Sequence, residues 1–156
     1  MATAPETVRF SPESPGEVTA LMDAMVERGK GWINVWADVG DDDMPQRRSF
    51  FSIFSGMGPA VPLCTWVAPQ PDQKPPHIEL GIQHASGSKA AKRLEQLGHP
   101  VPERWVVLAD HPKRGLVIAV HPDATVEATL EWLVTAGKAL ARVPLPEQWR
   151  ASVHKA

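Results

Sequence analysis

The stretch RWVVLADHPKRGLVIAVHPDATVEATLEWLVTAGKALAR (104–142) decides the fold. Two apolar runs, WVVLADH (105–111) and LVIAVH (116–121), flank Pro112-Lys113-Arg114-Gly115. Proline presets such a turn, and Gly115 can take the positive φ that often closes it. With those four residues as the loop, His111 faces Leu116. One face then gathers Trp105, Val107 and Ala109 opposite Ile118 and Val120. The other carries Val106, Leu108 and Asp110 against Val117, Ala119 and His121, and it too is mostly apolar, which calls for a cover. A helix follows at once, with Asp123 or Thr125 as its cap and Glu127 in its first turn, where the helix dipole favours a carboxylate. Val126, Leu130, Leu133, Val134, Gly137, Leu140 and Ala141 make one apolar stripe at helical spacing. A second stripe runs through Ala128, Trp132, Ala136, Ala139 and Val143. That stripe is either more core or a contact for a partner or a second subunit, and Ala128, Trp132, Ala136 and Val143 are its candidate contact residues.

Working outward, Ser14-Pro15-Gly16-Glu17 has the form of a capping box before an amphipathic helix of Val18, Leu21, Met22, Met25 and Val26. Residues 1–13 read as a disordered lead, 14–150 as one domain, and 151–156 as a polar tail. Trp32 to Val39 alternates as a strand, with Ile33, Val35, Ala37 and Val39 on one side and Trp32, Asn34, Trp36 and Asp38 on the other. The second set could hold a small ligand between two indoles, an amide and a carboxylate. The plainer reading puts these tryptophans under a helix or at a dimer seam. A further strand is predicted over 49–55. Residues 61–68 make a marginal one, because Pro62 would confine it to an edge or a loop. After a proline-rich connector come a strand over 77–86 and a short helix that Ser88 opens. Pro100-Val-Pro-Glu-Arg-Trp105 and Pro144-Leu-Pro-Glu-Gln-Trp149 echo each other after two helices, each proline stopping its helix and each tryptophan folding back over the helix end.

The 156 residues carry a net charge of −2 with scattered basic side chains, which gives no electrostatic case for nucleic-acid binding. The single Cys64 rules out an internal disulfide and a cysteine-cluster zinc site, and fits a reducing cytoplasm. Met1 to Phe10 lacks the basic start and apolar core of a signal peptide. The uncharged Ser49–Pro71 run is too broken by glycine and proline to span a membrane. Asp38, Asp41, Asp42 and Asp43 offer hard oxygen ligands but not the spacing of a calcium loop, so a solvated turn is expected and no metal. The six histidines are scattered, with His77/His84 and His111/His121 on opposite faces of their strands, and His99 and His154 in a loop and the tail. No nucleophile elbow, phosphate loop or zinc-protease motif is present, so no catalytic residue and no cofactor is expected. Lys113-Arg114 at the hairpin tip reads as a solubilising pair that could also meet an acidic partner.

The element order α-β-β-(β)-β-α-β-β-α belongs to the α+β class, an antiparallel sheet with three helices. Over residues 15–142 this order, ending in the hairpin and helix of 104–142, resembles the type III secretion chaperones and their YbjN-like relatives. The resemblance implies a cytoplasmic homodimer that binds another polypeptide and has no active site. The leading expectation is therefore a non-enzymatic, chaperone- or adaptor-like protein-binding module. The alternative is a small-ligand-binding protein or small enzyme with a pocket over Trp32, Asn34, Trp36 and Asp38.

Overall fold

Alternation decides which side of each strand meets the helices, and helix spacing decides which stripe meets the strands. In the computed structural model, which describes residues 6–39 and 60–155, both patterns converge on one core. The elements are β1 (Glu6–Phe10), α1 (Gly16–Arg28), β2 (Trp32–Ala37), β3 (Leu63–Val67), β4 (Glu79–Gln83), α2 (Ala90–Gln96), β5 (Val106–His111), β6 (Gly115–Ala119), α3 (Val126–Leu140) and β7 (Trp149–His154). The seven strands form one sheet in the order β1-β7-β2-β3-β4-β6-β5. Every neighbouring pair is antiparallel, so this is a single α+β domain. Ile33, Val35, Cys64, Trp66, Leu80, Ile82, Leu116, Ile118, Trp149 and Ala151 line the buried side of the sheet. Val18, Met22 and Met25 of α1, Leu94 of α2 and Leu130, Leu133 and Leu140 of α3 close over it. Each such side chain contributes about 1.5–3 kcal/mol of burial.

Both ends of the chain depart from expectation. The segment read as a disordered lead contains β1, and the one read as a polar tail completes β7. Val8 and Phe10 pair with Ala151 and Trp149, and β7 lies between β1 and β2. A five-residue strand with only two apolar positions is a weak signal, and its partner sits at the far end of the sequence. Trp149, expected to fold over the end of the last helix, is fully buried within β7. The two Pro-x-Pro-Glu-x-Trp echoes thus both lead into a strand. β3 is an interior strand despite Pro62. The proline stands just before Leu63, so its missing N–H falls outside the ladder. The strand expected over 49–55, and Asp41, Asp42 and Asp43, lie outside the described residues.

The helix starts differ too. α1 begins after Pro15 with no side-chain cap, and Ser14 is drawn into a bridge with Ser11 in place of the capping box. α3 is capped by Thr125, whose hydroxyl accepts the Ala128 N–H at 3.1 Å. α2 is capped from across the structure: the Asp110 carboxylate accepts the N–H groups of Ala90 and Ala91 at 2.9 and 3.0 Å.

That cap depends on a one-residue shift in the hairpin. His111 pairs with Gly115, leaving Pro112-Lys113-Arg114 as the turn, and Val107 pairs with Ile118 as the apolar pattern requires. A bulge at Leu108 then sets Ala109 against Val117 and Asp110 against Leu116, which turns the aspartate to the helix side. Gly115, at φ 80°, packs directly over β4, where a Cβ would overlap the Ile82 carbonyl oxygen. Gly115→Ala should therefore destabilise the domain by on the order of 3 kcal/mol, from left-handed strain together with the clash, read as a lowered urea midpoint.

Candidate functional site

The face of the sheet opposite the helices carries the residues singled out on β2. Trp32 is 37 % exposed and stacks on His154 of β7, ring centres 4.8 Å apart and nearly parallel. Asn34 sits between Ser152 and Thr65 in the register, and its amide oxygen accepts the Thr65 hydroxyl at 2.8 Å. Trp36 is buried, with its indole N–H unpartnered among the described residues. Asp38 is held by Arg150 at 2.7 Å and by Arg9 at 3.5 Å. The four side chains share a face, yet their polar groups are mostly engaged by neighbours. Two arginines neutralise the carboxylate, a hydroxyl takes the amide oxygen and an imidazole covers one indole.

The histidines do not gather. His154, expected in a tail, is on β7 beside Ser152, with its Nε2 3.0 Å from the hydroxyl. His121 lies between Arg104 and Asp123. The Arg104 guanidinium lies 2.8 Å from its Nε2, and its Nδ1 accepts the Asp123 backbone N–H at 3.2 Å and stands 3.3 Å from the Asp123 carboxylate. With both ring nitrogens engaged by neighbours, the imidazole is poorly placed to act as a general base. His84 is buried, its Nδ1 accepting the Ser86 N–H at 3.1 Å and its Nε2 without a partner among the described residues. Cys64 is fully buried, and burial pushes its thiol pKa up to about 12, so it remains a neutral thiol rather than a nucleophile. Among the described residues, no three His, Cys, Asp or Glu side chains are grouped to hold a metal ion, and no helix is long and apolar enough to cross a membrane. A cleft of about 290 Å³ lies between α1, the proline-rich connector and the start of α3, with Asp23, His77, His121 and Glu127 at its walls.

The contact candidates separate, Val143 falling beyond the end of α3 at Leu140. Ala136 is fully buried and offers no surface to a partner, while Ala128 and Val143 are exposed. Trp132 is spent within the chain: its indole donates to the Pro100 carbonyl at 3.0 Å and meets Trp105 edge-on at 5.5 Å. The exposed apolar surface is concentrated elsewhere. On β5, at one edge of the sheet, Val106, Val107 and Leu108 are 58, 40 and 54 % exposed. Reading the hairpin from sequence found its outer face too apolar to stand open, but assigned it a cover. Among the described residues no helix lies over that face, and the edge position was not visible from the pattern. The opposite edge, β1, is blunted by Glu6 and Arg9, which pair with Lys155 and Asp38.

His84 makes the stability depend on pH. Desolvation lowers its pKa from 6.5, only partly opposed by the Asp110 carboxylate. Above pH 6.5 the ring is neutral folded or unfolded. Below it the unfolded chain takes up a proton that the folded chain resists, so stability falls with pH, by at most about 1.4 kcal/mol per unit from one proton. Urea melts between pH 7 and 5 should show this loss, and His84→Asn should flatten the slope.

No protein-family model matches this chain, and neither does any curated protein or solved structure.

Proposed function

We propose that this protein is a non-enzymatic, adaptor- or chaperone-like module that binds polypeptide at the outer edge of β5. The observation that carries the reading is the run Val106-Val107-Leu108, three adjacent apolar side chains exposed on an edge strand. An edge presents a row of unpaired N–H and C=O groups that an incoming extended segment can satisfy, and alternate apolar side chains supply the area it buries. Soluble proteins usually protect such an edge with charge or proline; the run from Val106 to Ala109 has neither. The inert Cys64, the blocked His121 and the buried His84 support a role without catalysis.

A second reading keeps a small-ligand site on the Trp32, Asn34, Trp36 and Asp38 face. It is favoured by the buried Trp36 N–H, a donor with no partner among the described residues.

A phage-displayed library of random peptides, panned on the whole chain, separates the two. Enrichment of extended, alternately apolar peptides whose affinity drops about tenfold or more, roughly 1.4 kcal/mol, in Leu108→Lys supports edge binding. Enrichment indifferent to both Leu108→Lys and Val106→Lys, or none at all, overturns it.

A further inference from the structure

We infer that the segment β5 takes is the β5 strand of a second copy of this chain, added antiparallel about a two-fold axis. The inference rests on the reading of β5 as a polypeptide-binding edge, and it names the occupant.

Charge at the two ends of the strand selects the occupant and its direction. At the start of β5, Arg104 is paired with Asp123 at 3.2 Å, leaving Glu103 as the charge with no ion-pair partner among the described residues. At its end the turn carries Lys113 and Arg114, with no carboxylate in ion-pair contact with either among the described residues. Antiparallel pairing of two copies lays each acidic start beside the other's basic end. A two-fold axis through Leu108 does this symmetrically, because Glu103 and Lys113 lie five residues on either side of it. Parallel pairing would instead bring the two Lys113-Arg114 turns together, a like-charge contact that opposes it.

The edges of the sheet select closure. Joining β5 to β1 of another copy would be head-to-tail and open-ended. β1, however, carries Glu6 and Arg9, while its apolar Val8 and Phe10 are turned into the core. Joining β5 to β5 is isologous, uses the apolar edge once in each copy, and stops at two. The bulge at Leu108 would commonly deter pairing. Here it presents a leucine in place of the lysine or proline of a protected edge. A six-residue seam is short beside the roughly 1,200–2,000 Å² of a stable complex, so the association is reversible and follows concentration.

Light scattering on the purified chain over about a hundredfold range of concentration, wide enough to follow mass action, tests this. The mass should climb from 17.0 kDa toward twice that value. Leu108→Lys and Val106→Lys should each hold it at the monomer, with melting curves confirming that these exposed substitutions leave the fold intact. Glu103→Lys and Lys113→Glu should each weaken association several-fold, and the two together should restore it. A monomer at every concentration overturns the inference, as does a dimer that survives Leu108→Lys. A charge exchange that restores nothing overturns the antiparallel register. A labelled peptide of residues 103–111, titrated into the chain, distinguishes the failures. Peptide binding by a chain that stays monomeric leaves the polypeptide-binding edge standing without its self-partner. No binding by either route removes both.

Discussion

The last helix reaches the sheet because residue 137 has no side chain. A Cβ there would stand 2.9 Å from the Cys64 sulfur and 3.3 Å from the Trp149 ring, closer than packed atoms tolerate. Through that gap α3 crosses β3 and β7, and its contacts follow from the approach. The Cys64 sulfur comes 3.9 Å from the Leu133 carbonyl, and the Trp66 indole donates to the Thr129 hydroxyl at 3.0 Å. The Thr129 hydroxyl in turn donates to the Val126 carbonyl at 2.7 Å, so a polar pair sits in the middle of the core with its donors satisfied. The two tryptophans that fill the sheet's buried side, Trp66 and Trp149, are fixed by this one helix. A leucine at 137 would preserve the helical pattern and lose this close approach of helix to sheet.

What could be read in advance divides along a physical line. Periodicity carried α1 and α3, because burial of a stripe is a local requirement that Val18, Met22 and Met25 or Leu130, Leu133 and Leu140 announce by spacing alone. The alternation of Ile33, Val35 and Ala37 did the same for β2, and with it the shared face of Trp32, Asn34 and Trp36. What stayed hidden is whatever depends on a partner remote in sequence. Phe10 becomes core only beside Trp149, and Asp110 becomes a cap only because a bulge turns it toward Ala90. The fate of Trp132 was ambiguous for the same reason. A large side chain on a helix's flank looks like a contact surface until Pro100 and Trp105 are found beneath it.

The placement of charge separates the two sides of the sheet's chemistry. Carboxylates that might have made a site are committed to structure: Asp38 to Arg150 and Arg9, Asp123 to Arg104, Asp110 to the start of α2. The Asp38 and Asp110 contacts tie junctions between elements, while the Asp123–Arg104 pair stays exposed on the surface. The apolar edge of β5 is the contrasting case, where backbone groups and aliphatic side chains are left without a partner among the described residues. Its neighbours on the open face, Val117 and Ala119, extend that character inward from the edge.

The position of β7 has a bearing on how the chain comes to be built. β1 touches the sheet through β7 alone, and β7 is the last strand in the sequence. During synthesis the first strand therefore waits, with Val8 and Phe10 unpaired, until residues 149–154 have left the ribosome. Contacts closed over such long separations are slow to form, and apolar segments left waiting are prone to stray association. The remaining five strands and three helices can assemble in the order they emerge. The nascent protein thus passes through a stage in which both borders of its sheet are open, and arrival of the final strand seals one of them.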